Sequence, residues 1–112
     1  MALSSTGTSA TSIVSNNVHI AYELDENYPN PFNPSTTIKY GLPTISRVKL
    51  TVHDLSGQHI ATIVDRIQPA GYYYQIWEGR VSSGIYLLKL EAVSIENNSK
   101  LFVKMLKMLL LK

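Results

Sequence analysis

Cysteine is absent from this chain of 112 residues. Its absence excludes a disulfide framework and thiolate metal sites, so the core must be held together by packing alone. Charge is also scarce, because charged residues make up 16% of the chain against 45% that are hydrophobic, and the net charge is only +2. The basic residues form no cluster, so neither nucleic acid nor a membrane surface is an expected partner. No apolar run approaches the roughly 20 residues of a transmembrane helix, and none is predicted.

Serine and threonine are abundant near the start, where they supply eight of the twelve residues from 4 to 15. A segment of this composition has little to bury and is typical of a solvated linker. We therefore predict a linker or arm over residues 1–18 and one folded domain over residues 19–112.

Beyond the arm, hydrophobic residues recur at every second position, which is the pattern of half-buried β-strands. Turn residues such as Asp54, Gly57, Gly71 and Gly84 separate the candidate strands. In chain order, these strands are 19–24, 36–42, 48–52, 58–64, 72–77 and 85–92.

The last segment, residues 100–112, fits both a helix and a strand. Its leucine, methionine and lysine content favours a helix, but six preceding strands leave a sheet without an edge partner. We therefore predict a final strand and an all-β fold, an antiparallel β-sandwich of about seven strands.

Three prolines in residues 28–34 precede a β-branched run. Each proline fixes its own φ at about −65° and steers the residue before it away from helical geometry. The segment is therefore expected to be extended and to form a rigid bend before the second strand.

Six motifs follow one another in an order that resembles the C-terminal sorting domains of the type IX secretion system. They are Tyr28-Pro29-Asn30-Pro31-Phe32-Asn33-Pro34, Val52-His53-Asp54-Leu55-Ser56-Gly57, Pro69-Ala70-Gly71, Trp77-Glu78-Gly79, Val81-Ser82-Ser83-Gly84-Ile85-Tyr86 and Lys107-Met108-Leu109-Leu110-Leu111-Lys112. The resemblance implies an immunoglobulin-like sandwich, similar also to the module of flagellar hook-capping proteins. Two departures are Glu78 in place of the family's aspartate and a short loop at 79–81, which predicts a tight hairpin.

The resemblance also implies what the chain does. It predicts a non-catalytic module that the secretion machinery of the outer membrane recognises, so that cargo passes through the periplasm and is attached at the cell surface. The C-terminal segment is the predicted recognition element, because lysines interrupt an otherwise apolar strand. Its candidate partner-binding residues are Lys104, Lys107, Met108, Leu109, Leu110, Leu111 and Lys112. A last core strand with lysines as guards against aggregation is the plainer interpretation.

No group of residues suggests an enzyme, and neither a cofactor nor a metal is expected. His53 and His59 flank a turn and are expected on the surface, whereas Asp54 is expected to bind the turn's own backbone. Two other functions stay open. One is a self-assembling extracellular subunit of a filament or surface layer, in which the arm or an edge strand pairs with other copies. The other is carbohydrate binding by the aromatic residues of 72–77, with Tyr73→Ala as its probe.

Overall fold

The computed structural model describes residues 20–98 and 100–112. These residues form seven β-strands and no helix, and so they contain no helix that could cross a bilayer. The strands are β1 (Glu23–Leu24), β2 (Ser35–Leu42), β3 (Ser46–Asp54), β4 (His59–Gln68), β5 (Gly71–Glu78), β6 (Gly84–Ser94) and β7 (Leu101–Leu110). The predicted arm over residues 1–18 lies outside the described residues, so the domain boundary stays a prediction.

The strands form two antiparallel sheets that pack as a sandwich. One sheet has three strands in the order β1-β2-β5, and the other has four in the order β4-β3-β6-β7. The last segment, whose sequence also fitted a helix, is strand β7 and pairs with β6 from Leu101 to Leu110. The prediction of an all-β sandwich of about seven strands is confirmed.

The core follows from the alternation of apolar residues. In β3, Val48, Leu50 and Val52 are fully buried, while the intervening Arg47 and Lys49 are exposed. Each such buried aliphatic side chain stabilises the fold by about 1.5–3 kcal/mol. Strands β2 and β6 repeat the pattern with Ile38, Tyr40, Leu42, Leu88, Leu90 and Ala92.

Two predictions about strands were wrong. The short segment between β5 and β6 is not a tight hairpin, because these strands belong to different sheets and residues 79–83 cross between them. Of the strand expected over 19–24, residue 19 lies outside the described residues, and within residues 20–24 only Glu23 and Leu24 form strand pairs with β2. Leu24 is buried and Tyr22 packs against the core, as the alternation indicated, but alternation reports burial and not pairing.

The turn between β3 and β4 is organised by the Asp54 carboxylate. Its Oδ1 atom accepts hydrogen bonds from the Ser56 hydroxyl at 2.6 Å, the Ser56 amide at 2.9 Å and the Gln58 amide at 2.9 Å. Gly57 has φ +91°, a left-handed conformation that glycine adopts without steric cost. The bond from the Ser56 hydroxyl, followed by that from the Gln58 amide, lowers the pKa of Asp54.

We predict that Asp54→Asn makes stability less dependent on acid pH. Because the pKa of Asp54 is lowered on folding, its stabilising effect is complete above the ordinary value of 3.8 and is lost as the pH falls through the lower folded value. The wild-type chain should therefore be more stable than Asp54→Asn at neutral pH, and the difference should shrink in acid. Denaturant unfolding from neutral to acid pH measures the difference in unfolding free energy between the two proteins. A difference that is independent of pH would contradict the lowered pKa of Asp54.

Candidate functional site

Strand β7 lies at the edge of the four-stranded sheet, and the proline-rich segment covers the C-terminal half of that edge. The Phe32 amide donates a hydrogen bond to the Leu109 carbonyl at 2.9 Å, and the Leu111 amide donates to the Phe32 carbonyl at 3.0 Å. These two bonds form a parallel bridge between Phe32 and Leu110. Residues 28–34 therefore act as a short additional strand beside residues 107–111. We call residues 107–112 the tail.

The Asn30 side chain extends this pairing by one step. Its Oδ1 atom accepts a hydrogen bond from the Leu109 amide at 3.0 Å, and its Nδ2 atom donates to the Lys107 carbonyl at 3.3 Å. A side-chain amide offers a donor and an acceptor, as a peptide group does, whereas the neighbouring Pro29 and Pro31 have no N–H to donate. Asn30 thus supplies the bonds that a proline-rich backbone cannot make.

Buried polar groups hold the proline-rich segment in place. The side chain of Asn27, only 2% exposed, donates to the Pro29 carbonyl at 3.2 Å and to the Thr36 hydroxyl at 2.9 Å. The Thr36 hydroxyl in turn donates to the same Pro29 carbonyl at 2.9 Å. Asn27 and Thr36 were missed at the sequence level, because nothing local distinguishes a buried asparagine from one in a turn. Three peptide bonds of the segment are cis, those preceding Pro29, Pro31 and Pro34.

Phe32 anchors the segment in the core. It is 2% exposed, and its ring centre lies 5.8 Å from that of Trp77. Gly79 leaves room for this packing, because a Cβ atom there would lie 2.9 Å from Leu110 Cδ2 and 3.2 Å from Phe32 Cε2. Three motifs that are distant in sequence, namely the proline run, Trp-Glu-Gly and the tail, therefore meet at one place.

The crossing between β5 and β6 holds the end of the tail. The Lys112 amide donates to the Ser83 hydroxyl at 2.9 Å. The Tyr86 hydroxyl donates to the Ser82 carbonyl at 2.6 Å, and the Tyr86 ring packs edge-on against Trp77 at 6.2 Å. The Val-Ser-Ser-Gly-Ile-Tyr motif thus fixes the loop that binds Lys112.

The candidate partner-binding residues fall into three classes of exposure in the structure. Met108 and Leu110 are 1% and 0% exposed, so both are core residues and are inaccessible to a partner while the sandwich is intact. Leu109 is partly exposed. The exposed members are Lys104, Lys107, Leu111 and Lys112.

The other residues of the sequence motifs lie at the ends of strands or in the proline-rich segment. Gly71 and Gly84 begin β5 and β6, and Asp54 ends β3. The Tyr28 side chain is 79% exposed, while its backbone pairs with Thr37 through bonds of 2.9 and 2.8 Å. The exposed members of the proline-rich segment are Tyr28, Pro29, Pro31, Asn33 and Pro34.

A groove of about 610 Å³ lies beside the part of β7 that the proline-rich segment leaves uncovered. Acidic Asp25 and Glu26, which follow β1, line it together with basic Lys104 and Lys107 of β7. The groove therefore presents charges of both signs close to an open strand edge.

The structure also bears on the alternative interpretations. Tyr73 faces the core, where its ring stacks on Tyr40 at 5.4 Å and its hydroxyl donates to the Pro69 carbonyl at 2.6 Å. The outward aromatic residues of β5 are Tyr72 and Tyr74, so Tyr73→Ala would disturb packing and was the wrong probe for carbohydrate. Among the described residues, no three histidine, aspartate or glutamate side chains are close enough to hold a metal ion.

We predict that Asn30→Ala loosens the tail. The variant should lose about 1–2 kcal/mol of unfolding free energy, because it removes two hydrogen bonds to the tail backbone. The Leu109 amide should then exchange with solvent faster, as measured by hydrogen exchange. Asn33→Ala is the matched control, since Asn33 lies in the same segment but is exposed. Equal protection of Leu109 in both variants would show that Asn30 does not hold the tail.

Comparison with known proteins tests the resemblance drawn from the motifs. The model of the family described as the secretion system C-terminal sorting domain matches residues 26–104. The match takes in the first five motifs and ends within β7, so the motif at residues 107–112 lies outside it. Comparisons with curated proteins and with solved structures found no match. The match covers most of the chain, which therefore belongs to the family of type IX secretion C-terminal sorting domains, and these direct export across the outer membrane to the cell surface or the extracellular space.

Proposed function

We propose that this chain is a non-catalytic sorting and anchoring module whose docked tail is the surface that the outer-membrane secretion machinery recognises. Family membership supports the sorting role. The choice of the tail rests on one observation, which is that the proline-rich segment pairs with the tail through Asn30 and Phe32. The proline-rich segment and the tail, two of the motifs that resemble the family, thereby form one continuous surface.

The pairing of the proline-rich segment with the tail determines which groups of the tail a partner can contact. Between the proline-rich segment and β6, the backbone of residues 107–111 is bonded on both sides, so a partner must recognise side chains. Alternation turns Lys107, Leu109 and Leu111 to one face and places Met108 and Leu110 in the core. A tail held in this way loses little conformational entropy on binding, which favours affinity.

The outward face combines apolar and basic groups. Leu111 is 50% exposed, and Lys107 and Lys112 lie close to it in sequence with exposed side chains. A partner that complements this face would present an apolar surface to Leu111 and carboxylates or backbone carbonyls to the two lysines. The family supports a non-catalytic role, because sorting signals act by being recognised. The filament alternative relied on the arm or an edge strand. The arm lies outside the described residues, and the family match does not support a filament role.

We predict that reversing the tail's charge abolishes export and leaves the fold intact. The full chain is fused to a reporter in cells with a type IX system, and surface display is compared for wild type and the double variant Lys107→Glu/Lys112→Glu. Both lysines are exposed, so the melting temperature should change little while display falls to background. Point variants are preferable to deleting residues 107–112, because the deletion also removes the core residues Met108 and Leu110.

Two controls complete this experiment. Lys100→Glu reverses an exposed charge just before β7 and should be exported like the wild type. Lys107→Arg/Lys112→Arg keeps both charges and should be displayed like the wild type. Normal display of the doubly reversed variant would refute recognition of the tail and would leave the family assignment unchanged.

A further inference from the structure

The two sheets end in four edge strands, and three of these are short or protected. Strand β1 has only two residues, and two register shifts interrupt the pairing of β4 with β3. Strand β7 carries Lys104 and Lys107 and is partly covered by the proline-rich segment. Short length, bulges, lysines and covering segments all prevent a sheet edge from pairing with another chain.

Within residues 20–98 and 100–112, strand β5 has none of these protections. Its register with β2 is unbroken over eight residue pairs, from Ser35–Glu78 to Leu42–Gly71. Residues 71–77 contain no charged residue and no proline. Its outward side chains are Tyr72, Tyr74 and Ile76, which are 44%, 65% and 73% exposed. An uncharged, regular edge with exposed apolar side chains is a template for a further strand.

The hydrogen-bond phase shows which residues of β5 face that edge. The Lys39 carbonyl accepts a bond from the Asp25 amide at 3.0 Å, so odd-numbered residues of β2 bond away from β5. Even-numbered residues of β2 bond towards β5, where the register gives them odd-numbered partners such as Gln75 opposite Ile38. Successive residues of a strand point their backbone groups to opposite edges. The backbone groups aimed at the open edge are therefore those of Tyr72, Tyr74 and Ile76.

We propose that this edge binds a second copy of the chain and forms a twofold dimer centred on Tyr74. Antiparallel pairing about that centre places Tyr74 opposite Tyr74 of the second copy and Tyr72 opposite Ile76. All three pairs bring outward backbone groups face to face, so every pair exchanges both of its backbone hydrogen bonds. The same pairs join aromatic to aromatic and aromatic to β-branched side chains, which are favourable across strands.

Charge is compatible with pairing between identical edges. Glu78 ends the strand and faces Ala70 of the second copy, so no like charges stand opposite one another. Arg80 is paired with Glu78 at 2.7 Å, and the other cation close to this edge is Lys39 of β2, whose ammonium group lies 4.8 Å from the centre of the Tyr72 ring. With strands about 4.8 Å apart, the two Lys39 positions are separated by three spacings, about 14 Å, which exceeds the screening length of about 8 Å at physiological salt.

A second copy is the occupant that these observations select, because one register satisfies backbone phase, side-chain pairing and charge together. The pairing uses the same edge in both copies, so it closes as a dimer and does not propagate into a filament. It joins the two three-stranded sheets into one of six strands. The inference does not rest on the sorting role, since β5 and the tail lie in different sheets.

Sedimentation of the full chain over a concentration series tests the dimer. The wild type should pass from monomer to dimer as concentration rises, and Tyr74→Lys, which places two ammonium groups face to face, should remain monomeric. Leu101→Lys is the matched control, because Leu101 is 61% exposed on the β7 edge, and it should dimerise like the wild type. A wild type that stays monomeric, a Tyr74→Lys variant that dimerises, or a Leu101→Lys variant that does not would each overturn the proposal.

Single cysteines test the register, because the chain has none of its own. Directly opposite residues of a hydrogen-bonded pair have Cα atoms about 5.5 Å apart, which suits a disulfide. Tyr74→Cys should therefore form a covalent dimer, either under mild oxidation or with a short bifunctional thiol reagent that spans the Cβ separation of a hydrogen-bonded pair. Ile76→Cys is equally accessible but lies four residues along the strand from its own counterpart, about 14 Å away. It should cross-link far more slowly, and equal or faster cross-linking of Ile76→Cys would rule out a centre at Tyr74.

Discussion

The pairing of Asn30 and Phe32 with residues 107–111 is the contact on which the rest of the structure depends. It covers the C-terminal half of the β7 edge, and it places the Phe32 ring against Trp77 between the two sheets. Gly79 is adjacent to this contact and has no space for a side chain. The proline-rich segment is therefore part of the sheet and of the core, and it is more than a bend leading into β2.

Much of the fold follows from the sequence because burial has a period that can be read locally. Alternation identified the core faces of β2, β3 and β6, and the need for an edge partner identified β7 as a strand. It did not show that β5 and β6 belong to different sheets, since a short loop suits either a hairpin or a crossing. It also left open which side of β5 faces inward, which depends on the contact of Tyr73 with distant Tyr40.

Only the separate parts of the candidate site could be predicted from the sequence, because local patterns do not show long-range contacts. Two of its parts, the proline run and the tail, were recognised as separate motifs by their residue types. Their contact joins Asn30 to positions 77 and 79 residues away, and no local pattern encodes which strand edge accepts the segment. Alternation also divides the tail itself, so that a set of seven candidate residues contains two, Met108 and Leu110, that serve the core.

The long span of the Asn30 contact has a consequence for biosynthesis. Asn30 leaves the ribosome 77 and 79 residues before its partners Lys107 and Leu109 on β7. A polypeptide that stops before residue 107 leaves the amide of Asn30 and the backbone of Phe32 without these partners. Under the proposed role, a receptor that binds the docked tail would pass over prematurely terminated products, so the recognition surface would also act as a check that translation reached the tail.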